Sequence, residues 1–339
     1  MKKSLIVFGA ALACMGAAQA QSNVQLTGLV DMYMGSMKTA GKERTSEVGS
    51  GGMTTSWWGM NGTEDLGNGL KVGFALGAFF RADTGTPGRF NGDTFFARDA
   101  NVSLSGGFGT LKLGRSMAPN FLPTILFNPY GDSFTISPLV LHSVGNNAAD
   151  TGWSNQITYS TPTFAGLRAN LQYQFGEQAG KSGTNNVGAN VFYNQGPLAL
   201  TAVYEQADIG NPGLVNYNAL GYSKDKWMVG AAYDFSVVKL YATYGQATQD
   251  FSTGADDIKK KTYSLGLDVP VTKAGTVKVA MAQTKTDSVS GKWTTATVGY
   301  DHFLSKRTDA YAAAMYDKNS ALIDNKSGTS LAVGIRHRF

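Results

Sequence analysis

Apolar and polar residues alternate along this chain from one end to the other, in segments of roughly ten residues. In GLKVGFALGAFFR, Leu70, Val72, Phe74, Leu76, Ala78 and Phe80 fall on one side of an extended strand, and Lys71, Gly73, Ala75, Gly77 and Arg81 on the other. GLRANLQYQFGE opposes Leu167, Leu171, Tyr173 and Phe175 to Arg168, Asn170, Gln172 and Gln174. VKLYATYGQ, KTYSLGLDV, GTVKVAMAQ and TATVGYDHFL keep the same rule. So does the end of the chain, SLAVGIRHRF. There Leu331, Val333, Ile335, His337 and Phe339 share one face, and Ala332, Gly334, Arg336 and Arg338 the other. A period of two excludes amphipathic helix and requires strands with one apolar and one polar face.

The separators alternate as well. Residues 64–69, Ser105-Gly106-Gly107 and Ser305-Lys306-Arg307 read as tight turns, whereas 36–53, 82–93, 177–186, 209–224, 250–258 and 318–328 are long and polar. Short turns at one end and long loops at the other mark a transmembrane barrel of antiparallel strands. Sixteen strands are expected, near 23–36, 54–64, 69–81, 94–105, 108–117, 153–161, 166–177, 187–196, 197–208, 225–235, 237–248, 260–270, 274–286, 292–304, 307–317 and 329–339. Residues 215–223 also alternate and could add one.

The competing fold is a soluble all-β protein that buries its apolar faces against one another. Three features favour the membrane. MKKSLIVFGAALACMGAAQA has the charged start, apolar stretch and Ala18-Gln19-Ala20 cleavage pattern of an export signal, so residues 1–20 are expected to be removed and 21–339 to form the barrel domain. A lipoprotein reading of Cys14 is weakened by Ala11, which stands where leucine is usual. Cys14 is the sole cysteine, so the mature chain would have no thiol chemistry. Aromatic residues such as Trp58, Tyr173, Phe175, Trp227, Tyr233 and Phe339 sit at strand ends, as in an interfacial belt. The opposite faces are small or polar, and only 16% of residues are charged. A closed barrel also pairs every backbone group inside lipid, which an open sheet cannot.

Several stretches then resemble a known family. TTSWWGMNGTEDLGNGLKVGFAL, RDANVSLSGGFGTLKLGRS, NPYGDSF, YSTPTFAGLRANLQYQFGE, GAAYDFSVVKLYATY, VGYDHFLSKRTDAYAAAMY and GIRHRF are together similar to the general porins of β-proteobacterial outer membranes. The resemblance implies a sixteen-stranded barrel assembled as a homotrimer, each subunit with its own pore, and a third loop folded into the lumen. It also implies passive diffusion of small hydrophilic solutes and ions across the outer membrane. Lipids and lipopolysaccharide would surround the barrel, and Phe339 would serve as the signal read by the barrel assembly machinery.

By the same resemblance Arg98 and Arg115 match wall arginines of the constriction. Alternation, however, gives Arg98 the parity of Ala100, Val102 and Leu104, the lipid side. Either a bulge before Ala100 turns it inward or it snorkels at the rim; an arginine facing mid-bilayer costs about 2–4 kcal/mol, which favours the bulge. Arg81 and Lys71 fall on the lumen face directly, Lys71 as a solvated vestibule charge. Trp57 and Asn61, also on that face, stand where relatives often carry basic residues. Residues 116–149 hold no lysine or arginine and one acid, Asp132, with four of the nine prolines. One reading is that the loop's apolar stretches FLPTILF and SPLVL merely pin it to the wall; the sharper one is a constriction of Arg98, Arg115 and Arg81 against Asp132, with Asn61 and an open Trp57 indole. Such a ring predicts weaker anion selectivity than in arginine-rich relatives, with some preference for anionic or ring-bearing solutes. A substrate-specific channel for aromatic acids or sugars is the second reading.

Enzymatic chemistry finds little support. The three histidines, His142, His302 and His337, have no metal-ligand spacing, so neither a metal nor another cofactor is expected. His142-Ser143 would suggest an outer-membrane hydrolase but lacks an orienting acid motif. An adhesin barrel would want larger loops. A net charge of +5 over the whole chain is no nucleic-acid footprint.

Overall fold

The computed structural model describes residues 23–144, 150–180, 183–287, 289–323 and 326–339. The expected export signal, with Cys14, lies outside them, as do residues 145–149 of the third loop. Sixteen long strands form one closed antiparallel wall. The first eight are β1 Asn23–Met37, β2 Trp57–Gly67, β3 Leu70–Arg81, β4 Asp99–Gly106, β5 Gly109–Met117, β6 Gln156–Ser160, β7 Leu167–Phe175 and β8 Asn185–Gln195. The others are β9 Leu198–Ala207, β10 Tyr222–Asp234, β11 Lys239–Phe251, β12 Ile258–Pro270, β13 Gly275–Thr286, β14 Trp293–Phe303, β15 Thr308–Asn319 and β16 Lys326–Arg338.

The wall closes between β1 and β16, in register from Leu29↔Arg338 to Ser36↔Leu331. Phe339 completes the seam. Its backbone exchanges two hydrogen bonds with Gly28, each 3.0 Å. Its ring covers Gly28, where a β-carbon would stand 2.4 Å from the ring. Glycine is what lets the terminal aromatic lie flat on the outer surface.

The two faces are inverted relative to a soluble sheet. On β16, Leu331, Val333 and Ile335 are 55%, 50% and 50% exposed, while Arg336 is 8% exposed. On β7, Leu171 is exposed and Gln174 fully buried. Lipid outside and water with loop atoms inside make this arrangement favourable. Near the long loops the outer face carries Tyr244 in ring contact with both Trp227 and Tyr263, and Tyr233 meets Phe235 near the short turns.

The structure departs from the expected boundaries where side chains divert the backbone. Within 36–53, residues Thr45–Ser50 form a short strand paired with the upper half of β1. Residues 51–56 then leave the wall, because Asp31 Oδ2 accepts the N–H groups of Met53 and Thr54, both at 2.8 Å. The wall resumes at Trp57. Residues 94–98 lie in the second loop, so β4 starts later than expected. Val215–Asn216 folds back on Ile209–Gly210 and adds no wall strand. The count stays at sixteen.

The third loop crosses the barrel interior. It contains α1, Phe121–Leu126, and α2, Pro138–Ser143, the latter capped by Ser137 with proline in its first turn. Asn128 braces the tip, accepting from Tyr130 N and Ser137 Oγ and donating to the carbonyls of Thr124 and Gly131. The opposite wall is hollowed to receive it. Pro119 packs on Gly188, Phe127 on Gly230 and Pro129 on Gly266, where a β-carbon would lie 2.4 Å from the proline ring.

Candidate functional site

The loop is fastened to the wall from β8 to β14. Asn190 donates to Pro119 O, Tyr130 to Lys278 O, and Thr297 to Ile136 O. Asn120 bridges two wall charges, donating to Glu205 at 2.5 Å and accepting from Lys226 at 3.2 Å. Lys226 also donates to Ser143 O at 2.7 Å. His142 lies with its ring nitrogens 2.7 and 2.8 Å from the Thr284 and Thr295 hydroxyls. Burial lowers its pKa to about 3, so it is neutral at ordinary pH. Both ring nitrogens are engaged by threonines of the wall.

On the far side the loop tip meets the diverted segment 51–56. Ser133 and Thr135 donate to the carbonyls of Gly52 and Gly51. Asp132, next to Ser133 in the chain, hydrogen-bonds to Thr54 and feels the charges of Arg98 and Arg336. Burial raises its carboxyl above the usual carboxylate range, and Thr54, Arg98 and Arg336 oppose the shift. Arg336 in turn donates to Thr54 Oγ1 at 2.8 Å.

The expected bulge is present. Arg98 N donates to Gly77 O at 3.2 Å, while Asp99 is the register partner of the same Gly77. Two residues opposite one turn the Arg98 side chain to the lumen. Its guanidinium lies 3.9 Å from the Trp57 ring centroid, and its Nε is 3.5 Å from Asp99. Trp57 faces the lumen as expected, but its indole is not an open aromatic face: the Arg98 cation stacks on it. Asn61, half-buried, lies two lumen-facing positions further toward the short turns, in register with Gln25 and Ala75.

Two expected constriction arginines are placed differently. Arg115 is 5% exposed and committed: Nη2 to Asp150 at 2.7 Å, Nη1 to Ser154 and Nε to Ala97 O. Asp150 is shared with Arg89, which also grips Asp93. Arg115 therefore clamps the loop base and holds the backbone beside Arg98, instead of offering a free cation. Arg81, the last residue of β3, donates to Asn91 of the second loop at 2.8 Å. Lys71 is exposed near the short turns, as expected.

Arg336 was legible only as a lumen-facing residue of the last strand. Its place opposite the third loop depends on barrel closure, which sets it beside Asp31 in register. It is matched by Asp309 at 3.0 Å and Asp301 at 3.8 Å, and Arg338 adds a 2.6 Å contact to Asp309. The arginines on this side of the lumen are thus largely balanced by neighbouring carboxylates.

A family model described as Gram-negative porin matches residues 8–322. The chain is similar to outer membrane porin protein 32 of Delftia acidovorans, 35% identical with both chains fully covered. It is 30% identical, again over both full chains, to an outer membrane porin protein of Bordetella pertussis. Among solved structures it resembles the anion-selective porin from Comamonas acidovorans, with TM-score 0.81 and 31% identity over 94% of this chain and 100% of the other. The expected kinship with β-proteobacterial general porins is borne out. Inverted faces, a closed sixteen-stranded wall and full-length relatives agree: the chain belongs to the Gram-negative porin family and forms an outer-membrane channel for passive diffusion of small solutes.

Proposed function

We propose that this channel favours small anions only modestly, less than a porin with a ring of free arginines. The observation that carries the reading is the Arg98–Trp57 stack facing Asp132: one lumen cation held on an aromatic platform, with most other basic groups nearby matched by acids. The similar Comamonas porin is described as anion-selective, which supports the sign of the preference. Local carboxylates weaken the potential that a passing anion meets. Reversal potentials in a potassium chloride gradient test this. The wild-type channel should favour chloride weakly, and Trp57→Arg should move it further toward chloride. An unchanged reversal potential in that variant would remove Trp57 from the narrow point.

The remaining assignments follow the same reading. Residues 1–20 are an export signal cleaved after Ala20. The barrel assembles as a homotrimer among outer-membrane lipids and lipopolysaccharide, and exposed Phe90 and Phe95 on the second loop, the latter in ring contact with Trp58, are suited to such contacts. Phe339 is the recognition end for the assembly machinery. Deleting it removes both the ring over Gly28 and two seam hydrogen bonds, so outer-membrane levels of the protein should fall severalfold, as read by immunoblot of membrane fractions. Membership of a generally non-enzymatic family agrees with a role without catalysis.

A further inference from the structure

On the long-loop side of the third loop, the lumen wall holds a polar cavity of about 270 Å³ lined by Lys260, Thr284, Thr286, Lys292, Trp293 and Asn319. It is separate from the Arg98–Asp132 group. We propose that this cavity is a docking subsite for a small aromatic carboxylate of benzoate size, met before the constriction; the inference rests on the channel reading above.

Four observations support it. The lining residues contribute two ammonium groups and no carboxylate. Neither ammonium has an ion-pair or hydrogen-bonding partner among the described residues. The carboxylates closest in register and sequence are already engaged. Asp317 accepts from Ala40 N, Trp293 Nε1 and Thr295 Oγ1, and Asp287 is paired with Lys261. The indole is fixed before any ligand arrives, since Asp317 holds its N–H at 2.6 Å and His142 stacks on it at 3.8 Å between centroids, 16° from parallel. His142 takes one indole face, and the ring surface that still lines the cavity, beside two unpaired cations, selects a ligand with both a π face and a negative charge. The volume is at the lower end of ligand pockets, about 300 Å³ upward, and suits a single ring.

Titration calorimetry of sodium benzoate into the purified, detergent-folded full chain tests the proposal, with acetate as the ringless control. Benzoate should bind more tightly than acetate. Lys260→Gln/Lys292→Gln should weaken benzoate by about tenfold or more, the loss expected for charge-assisted contacts. Lys292→Gln alone, at an exposed loop position, serves if the double variant does not fold, and should weaken binding severalfold. Lys71→Gln, a lumen lysine outside the cavity, should leave affinity unchanged. Equal affinity in wild type and the lysine variants, or equal binding of acetate and benzoate, overturns the subsite. Protein that conducts potassium chloride in bilayers yet takes up no benzoate overturns the subsite while leaving the channel intact. Silent bilayers from folded protein would instead count against the channel.

Discussion

The two sides of the lumen are built on opposite principles. From β8 to β14 the wall is hollowed by glycines and filled by the prolines and aromatics of the third loop, with Glu205, Lys226 and His142 buried among hydrogen-bonding partners. From β16 through β1 to β4 the wall instead bears a charged cluster, with Tyr33 and Ala332 buried beneath the loop tip. It carries Arg98, Arg336 and Arg338 with acids interleaved. The difference separates two jobs. The packed side fixes how far the loop intrudes, hence pore size, because close-packed atoms resist displacement. The charged side sets the potential a solute feels, and its less buried members, such as Arg338, can change at lower cost to the fold.

The sharpest test of this contrast is a pair of charge deletions. Lys226→Met removes the buried cation that Asn120 bridges to Glu205, and loss of one partner from such a buried group costs about 3 kcal/mol or more. Heat-induced loss of the compact, slowly migrating form should occur at clearly lower temperature, and channels should become noisier as the loop loosens. Arg338→Met, on the charged side, leaves Asp309 still paired with Arg336. Its cost should be smaller than that of Lys226→Met, because Arg338 is about a third exposed and Asp309 keeps its second arginine. Equal melting shifts would erase the distinction.

A smaller effect is expected from Gly266→Val. The new side chain collides with Pro129, and overpacking of this kind costs about 1–3 kcal/mol. Because the strain is relieved by moving the loop tip, single-channel conductance should change by tens of per cent. A variant with native conductance would show that Pro129 does not set the loop position.

The smallest effect belongs to pH. Burial raises the Asp132 carboxyl, so on acidification it takes up its proton before an ordinary carboxylate does. Neutralising the one acid at the loop tip leaves Arg98 less opposed, and the reversal potential should drift toward chloride as pH falls. Asp132→Asn should already sit at the acidic value and lose that part of the drift. Identical titrations for the two proteins would assign the change to another group.

Much of this was written locally in the chain. Alternation identified strands because a period of two puts every second side chain on one face whatever the neighbouring strand is. Parity alone placed Trp57, Asn61 and Arg336 on the wet face, and its conflict with a charged Arg98 was enough to require the bulge that the structure contains. Turn residues at Gly67-Asn68-Gly69, all three at positive φ, likewise announced a tight reversal.

What parity could not supply was the partner. Arg115 looked like a free lumen cation until folding brought Asp150 to it from the far end of the third loop. Trp57 looked like an open indole until the bulge laid Arg98 across it. The cavity at Lys260, Lys292 and Trp293 gathers groups from four strands and a loop, and no local pattern joins them. Sequence by itself determined the wall, its faces, its membrane and its seam at Phe339, because these depend on side-chain period and on pairing every backbone group in lipid. Tertiary structure decided which charges remain free to act on a solute, because that depends on distances between residues far apart in the chain, and those distances exist only once the barrel is closed and the loop has entered it.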